Sequence, residues 1–219
     1  MFEQIIHSLL AGQFICEFRF PGLYEFLQDS EQRARVSQWV EAIGYRLSRL
    51  GDQGAFFLSY GTVEADRRAG IRKQFKDIKS EHWPRMQFLM TAQHALENDL
   101  MLTAGSLIDL PNLVDRISNN PKLMDDFRTV LPYLIGARVS TSLHDNLKRT
   151  LDGMCGDGYL AVRNAEREIY MVTGKIDYLH QVIAFLLDHE PLVVQAEATN
   201  QLELEGDEAG DPAEEAAPT

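Results

Sequence analysis

The side chains best suited to chemistry in this chain are cationic. Lys148, Arg149, Arg163 and Arg167, bracketed by Arg138 and Lys175, cluster in its second half. Lysine and arginine gathered in this way are the groups that neutralise nucleic-acid phosphates. A second set, Arg68, Arg72, Lys76 and Lys79, is spaced by four, four and three residues, which at ~100° per residue confines it to about a quarter of a helix circumference. For any one of these residues, a plain solvated charge is the competing reading. Base-specific recognition calls for exposed Asn, Gln and Arg in sets. Only Asn146 and Arg149 offer that on the helix concerned, so any DNA contact is expected to be phosphate-directed. Phe56, Phe57, Tyr60, Tyr159 and Tyr170 are candidates for binding a protein segment. Alternate residues of a strand face the core, however, so about half of them must be structural.

Catalytic groups do not assemble in the same way. The histidines, at positions 7, 82, 94, 144, 180 and 189, include no pair at the helical spacing of a metal site with a carboxylate between. The glycines form no phosphate-binding loop, and no Gly-x-Ser-x-Gly nucleophile signature occurs. Glu166 and Glu168 fall at an expected hairpin tip and read as solvated charges. Cys16 and Cys155 lie far apart among apolar neighbours and read as buried thiols rather than as a disulfide framework. No catalytic, cofactor-binding or metal-ligating residue is assigned, and the chain is expected not to be an enzyme.

The elements that would position the cations repeat. The first copy runs through a short β-like stretch, Phe14 to Phe18, and a Pro-started helix from Pro21 to Leu27. It continues with a helix carrying Val36, Trp39, Val40, Ile43, Leu47 and Leu50 inward, and then a Gly turn into the strand Ala55 to Tyr60. That third helix is expected to end near Leu50, with Ser30 and Glu31 at its start and Arg33, Arg35, Arg46 and Arg49 outward. The second copy has Leu107-Ile108, a helix after Pro111, an added segment from Pro121 to Leu134 and a helix near Thr141 to Cys155 capped by Ser140 or Thr141. A hairpin follows, Tyr159 to Val162 and Glu168 to Val172, with its tip at Asn164 to Arg167. An opening helix over residues 2–11, a helical connector and a last helix from about Ile176 to Leu187 complete the reading. The fold class is mainly α with small β-wings: tandem winged-helix domains joined by a helical connector and followed by a disordered acidic tail. The expected boundaries are 1–62, 63–80 for the basic connector, 81–188, and 189–219 for the tail.

Charge is unevenly spread. The formal net charge is −12, but nine acidic side chains and no Lys or Arg follow residue 188, which leaves −3 for the rest. The preceding residues are close to neutral, so local basic patches can form there. The opening residues lack the basic start and cleavage site of a signal peptide, and no apolar run reaches the ~18 to 20 residues of a membrane span. A cytoplasmic protein is expected.

The run Ile5-Ile6-His7-Ser8-Leu9-Leu10-Ala11-Gly12-Gln13-Phe14-Ile15-Cys16, the Leu23-Tyr24-Glu25-Phe26-Leu27 helix and the Gly54-Ala55-Phe56-Phe57-Leu58 wing resemble MksE, the MukE-like subunit of bacterial SMC-type condensins. Related subunits occur in Wadjet plasmid-defence systems. The resemblance covers about residues 2–188. It implies a non-catalytic, kleisin-interacting homodimer, associated with the nucleoid, whose kleisin bridges SMC-like ATPase heads and which helps clamp double-stranded DNA. The role implied is chromosome organisation and segregation, or plasmid restriction. A free-standing winged-helix transcription regulator is the alternative. The DNA-contacting residues named above come from charge and expected exposure and are not transferred from the family.

Overall fold

A computed structural model describes residues 1–61, 83–96 and 102–185. Met1–Leu179 form one compact unit, and of a second, His180–Thr219, residues 180–185 are described and helical. The connector cations Arg68, Arg72, Lys76 and Lys79 and the acidic tail lie outside the described residues.

The first repeat begins with α1 (Phe2–Leu10), whose Ile5, Ile6 and Leu9 recur at helical spacing and are buried. Pro21 opens α2 (Pro21–Gln28), where its missing N–H is no loss. Asp29 starts α3 (Ser30–Ala42): its carboxylate accepts from the N–H groups of Glu31 and Gln32 at 2.9 and 3.0 Å. A cap of this kind contributes about 1 kcal/mol. The capping group is thus Asp29 rather than Ser30.

α3 stops at Ala42, eight residues before the expected end. Gly44 has φ 83°, a left-handed conformation that breaks the helix at little cost for glycine alone. The chain then enters β1 (Tyr45–Arg49), which pairs antiparallel with β2 (Phe56–Tyr60). Arg46 and Arg49 are therefore strand residues, not helix residues. A bridge between Ile15 and Phe56 adds the early β-like stretch to the far side of β2. Ile5, Leu9, Ile15, Leu27, Val36, Val40 and Phe56 form the core.

The second repeat starts with α4 (Trp83–Ala95) and continues with β3 (Leu107–Asp109), α5 (Leu110–Ser118), α6 (Pro121–Ile135) and a 3-10 turn (Gly136–Arg138). It ends in α7 (Leu143–Gly156), β4 (Leu160–Asn164) and β5 (Ile169–Val172). A last helix runs over 175–185. The sheet order is β3-β5-β4, all antiparallel. In both repeats the last strand of the hairpin lies between the other hairpin strand and an earlier stretch, so the topology recurs although the second copy carries α6 in addition. Ser142 caps α7 by accepting from the Asp145 N–H, one residue after the expected Thr141. The architecture is mainly α with small antiparallel sheets, and no helix among the described residues is long and apolar enough to cross a membrane.

The two repeats meet at a seam. Phe14 and Phe57 of the first stack at 5.0 Å between ring centroids, and Tyr178 closes on both at 5.1 and 5.5 Å. The Gly174 N–H donates to Cys16 Sγ at 3.4 Å. A Cβ at Gly174 would lie 3.0 Å from that of Cys16 and 3.1 Å from that of Ala55, so the close approach requires glycine. Burial raises the Tyr178 phenol above its ordinary pKa.

Candidate functional site

The expected cations gather around α7 and the β4–β5 hairpin, but they are not equivalent. His144, Lys148 and Asp152 are spaced by four along α7 and form one stripe. All three reach the hairpin. His144 Nε2 lies 2.8 Å from one carboxylate oxygen of Glu168, and Lys148 Nζ donates to the other at 3.0 Å. The Tyr170 hydroxyl donates to Asp152 at 2.8 Å. Lys148 is therefore paired with the wing and is not an uncommitted phosphate ligand.

Glu168 is the centre of this clasp. Its φ of 52° places a non-glycine residue in the left-handed region, a conformation that persists where surrounding contacts over-determine it. Those contacts are present: the Leu110 N–H donates to its carbonyl at 3.1 Å, its own N–H donates to Ala165, and both carboxylate oxygens are engaged by α7. The hydrogen bond to Glu168 raises the pKa of His144, with Asp145 adding to the effect, and a hydrogen bond from Glu168 likewise raises that of Lys148. Contacts with His144 first, then Lys148, hold Glu168 below the usual carboxylate value.

These shifts set a pH window. A histidine with a raised folded pKa stabilises fully below its ordinary value of 6.5, and that contribution is lost as pH rises through the raised value. Glu168 stabilises above its ordinary 4.5 and loses its contribution as pH falls through the lowered value. The whole clasp is thus charged between these ordinary values, and at higher pH only its Lys148 arm remains ionic. An NMR titration is expected to place His144 above the ordinary histidine value, with the elevation removed by Glu168→Gln. An unshifted His144 would show that the clasp does not hold in solution.

The other candidates fall into three groups. Arg163 and Arg167 are exposed on the hairpin, and no side-chain partner engages either among the described residues. The strand register shifts between Val162 and Asn164, so Arg163 sits at a bulge, a device that re-aims a side chain out of the regular alternation. Arg138 and Arg149 are also exposed, and the Arg149 guanidinium donates to the Arg138 carbonyl. That bond ties α7 to the turn before it.

Lys175 belongs to the seam and is withdrawn from the phosphate-binding set. Its Nζ lies 4.6 Å from the Tyr159 ring centroid and 5.5 Å from that of Phe14, and it donates to the Asp157 carbonyl at 2.6 Å. Burial lowers its pKa, as expected for an ammonium taken out of water. Arg85 fixes the same loop from α4 through the Asp157 carboxylate at 2.6 to 2.7 Å.

Three of the five aromatic candidates are corrected to core residues. Phe56, Tyr159 and Tyr170 are 1, 1 and 2 % exposed, so none offers a face to a partner. Phe57 is half-buried in the seam, and Tyr60, stacked on Tyr45 at 5.9 Å, is the one exposed member of the five. Asn146 is likewise turned inward: it is 6 % exposed and clamps Ser140 with both ends of its amide, at 2.7 Å each. It is thereby removed from base reading. Burial pushes the Cys155 thiol up to about 11, which suppresses its thiolate.

Two grooves accompany these surfaces. One, of about 550 Å³, lies between α3 and the β1–β2 hairpin and includes Ala34, Leu47, Arg33 and Arg49. Both arginines are engaged within the protein, Arg33 with the Leu27 carbonyl and Arg49 with the Tyr24 hydroxyl. The other, of about 370 Å³, lies between α6 and the start of α7, with Phe127, Leu131, Val139 and Leu143 against Arg128. Among the described residues no group of three or more His, Cys, Asp or Glu could hold a metal ion.

Sequence reasoning missed Glu168 as a partner of α7, and it missed the Arg85–Asp157 pair. The first might have been sought from the stripe of His144 and Lys148, which needs an anion opposite it. Compared with family models, the chain matches the condensin complex protein MksE over residues 1–183. No curated protein matches it.

Proposed function

The chain belongs to the MksE family of condensin complex proteins, and from that membership we propose that it is a non-catalytic subunit that binds a kleisin and helps hold double-stranded DNA against SMC-like ATPase heads. Each repeat is read as a winged helix, with boundaries near 1–62 and 81–188 on either side of a basic connector, and the working form as a homodimer at the nucleoid. Chromosome organisation and plasmid restriction both suit such a subunit, and ATP hydrolysis would belong to its partner.

The observation that carries the DNA part is the group of exposed arginines beside and upon one hairpin: Arg163 at its bulge, Arg167 at its tip, and Arg138 with Arg149 at α7. Arginine on a wing suits phosphate contact, and the inward turn of Asn146 argues against base reading. The two apolar grooves support a kleisin segment as the protein ligand, since an extended or helical peptide buries apolar anchors in such sites.

Purification of the tagged chain from its native cells is expected to recover a kleisin and an SMC-like ATPase. The chain alone should bind duplex DNA weakly, without sequence preference and with strong salt dependence. Tight, sequence-selective binding by the chain alone, with no kleisin recovered, would overturn the reading in favour of a free-standing regulator.

A further inference from the structure

Resting on that DNA reading, we propose that Glu168 is an internal competitor for phosphate: its carboxylate occupies a cradle formed by His144 and Lys148 and so restrains the DNA affinity of the second repeat.

The cradle is built from cations one helical turn apart, and each contacts a different oxygen of one anion, at 2.8 and 3.0 Å. A phosphate presents the same chemistry, two anionic oxygens able to accept charge-assisted hydrogen bonds. The side chains of His144 and Lys148 remain 43 and 41 % exposed, whereas that of Glu168 is 21 % exposed. The cradle therefore opens to solvent on the side that its internal anion does not cover.

Position makes the masking consequential. Glu168 immediately follows Arg167, and the bulge at Arg163 lies on the paired strand, so a duplex resting on those two arginines comes close to the cradle. The other charges beside it are Asp145, near His144 Nδ1 at 3.7 Å, and Asp152, which raises the pKa of Lys148. Asp152 accepts from Tyr170 and is held away from this exchange. Lys148 thus has one neutralising partner that could be exchanged for a ligand, and it is Glu168. The left-handed backbone of that residue is kept in place by the same contacts. Withdrawing the carboxylate would free one lysine and leave the histidine available as a second donor.

The test uses the full chain and a duplex of arbitrary sequence, with binding followed by fluorescence anisotropy across a salt series. Glu168→Gln is expected to tighten binding about 5- to 10-fold at 0.1 M salt and to steepen the log–log salt slope by about 0.9, the value of one added phosphate contact. Lys148→Met alone should change little, and in the Glu168→Gln background it should cancel the gain. Glu168→Gly removes the carboxylate while accepting the left-handed backbone, so it should reproduce the gain even if glutamine strains the turn. Equal or weaker binding by both folded Glu168 variants would overturn the proposal and make Glu168 a positioning residue. Arg163→Glu with Arg167→Glu serves as the separate control: if it leaves wild-type binding untouched, the phosphate-directed reading itself fails, whatever Glu168 does.

Discussion

Reversal of Arg149, Arg163 and Arg167 to Glu is expected to weaken duplex binding by about 10²- to 10³-fold at 0.1 M salt, because three phosphate contacts together carry a log–log salt slope of about 2.7. The slope of the variant should be shallower by that amount, and measurement of both quantities separates lost contacts from a damaged fold. All three side chains are exposed and none lies in the core. The circular dichroism and the recovery of a kleisin should therefore be unchanged. A variant that loses kleisin and DNA together would place these arginines in a protein interface. Replacement by Gln should give an intermediate loss, since it removes attraction without adding repulsion.

Phe56→Ala is expected to destabilise the protein by about 3–5 kcal/mol, the range for deleting a buried aromatic side chain. The ring stands at the meeting point of four elements. Its backbone bridges Ile15, its ring meets Tyr24 at 5.8 Å between centroids, and the Arg49 guanidinium covers it at 4.6 Å. Urea unfolding of the variant against Tyr60→Ala makes the comparison internal. Tyr60 lies at the exposed end of the same strand and contributes chiefly a cross-strand pair with Tyr45, worth about 0.2–1 kcal/mol. If Phe56→Ala melted like wild type yet lost partner binding, the ring would be a contact surface after all.

The same strand explains why part of the architecture was readable in the chain and part was not. Proline at the start of α2, apolar spacing in α1 and the glycine-bounded hairpin of the second repeat are local signals, and the observed elements follow them. The end of α3 was hidden because Val36, Val40, Ile43, Leu47 and Leu50 keep a near-helical period straight across Gly44. Only the left-handed backbone of that glycine ends the helix, and glycine within a periodic run is a weak stop signal.

The site was legible in its charges and not in its pairings. Arg163 and Arg167 fall at the hairpin tip as their flanking strands suggest. Lys148 meets Glu168 across twenty residues and Lys175 enters an aromatic seam shared with Phe14. Neither contact has a local sequence correlate, because the packing of distant elements creates both. Burial of the aromatics follows strand alternation only in part: Phe56 is inward and Tyr60 outward, but Tyr159 stands outside any strand, in the turn after α7.

The contact of Gly174 with Cys16 and Ala55 leaves almost no room for sliding, since even a single added carbon would crowd both neighbours at about 3 Å. Close-packed surfaces with so little clearance behave as a rigid coupling rather than a swivel. Torque applied to one repeat is therefore delivered to the other without slack, and the hairpin arginines keep a fixed bearing relative to the α3 groove. A partner gripping that groove would aim the phosphate-facing arginines simply by its own orientation, as a handle aims a blade.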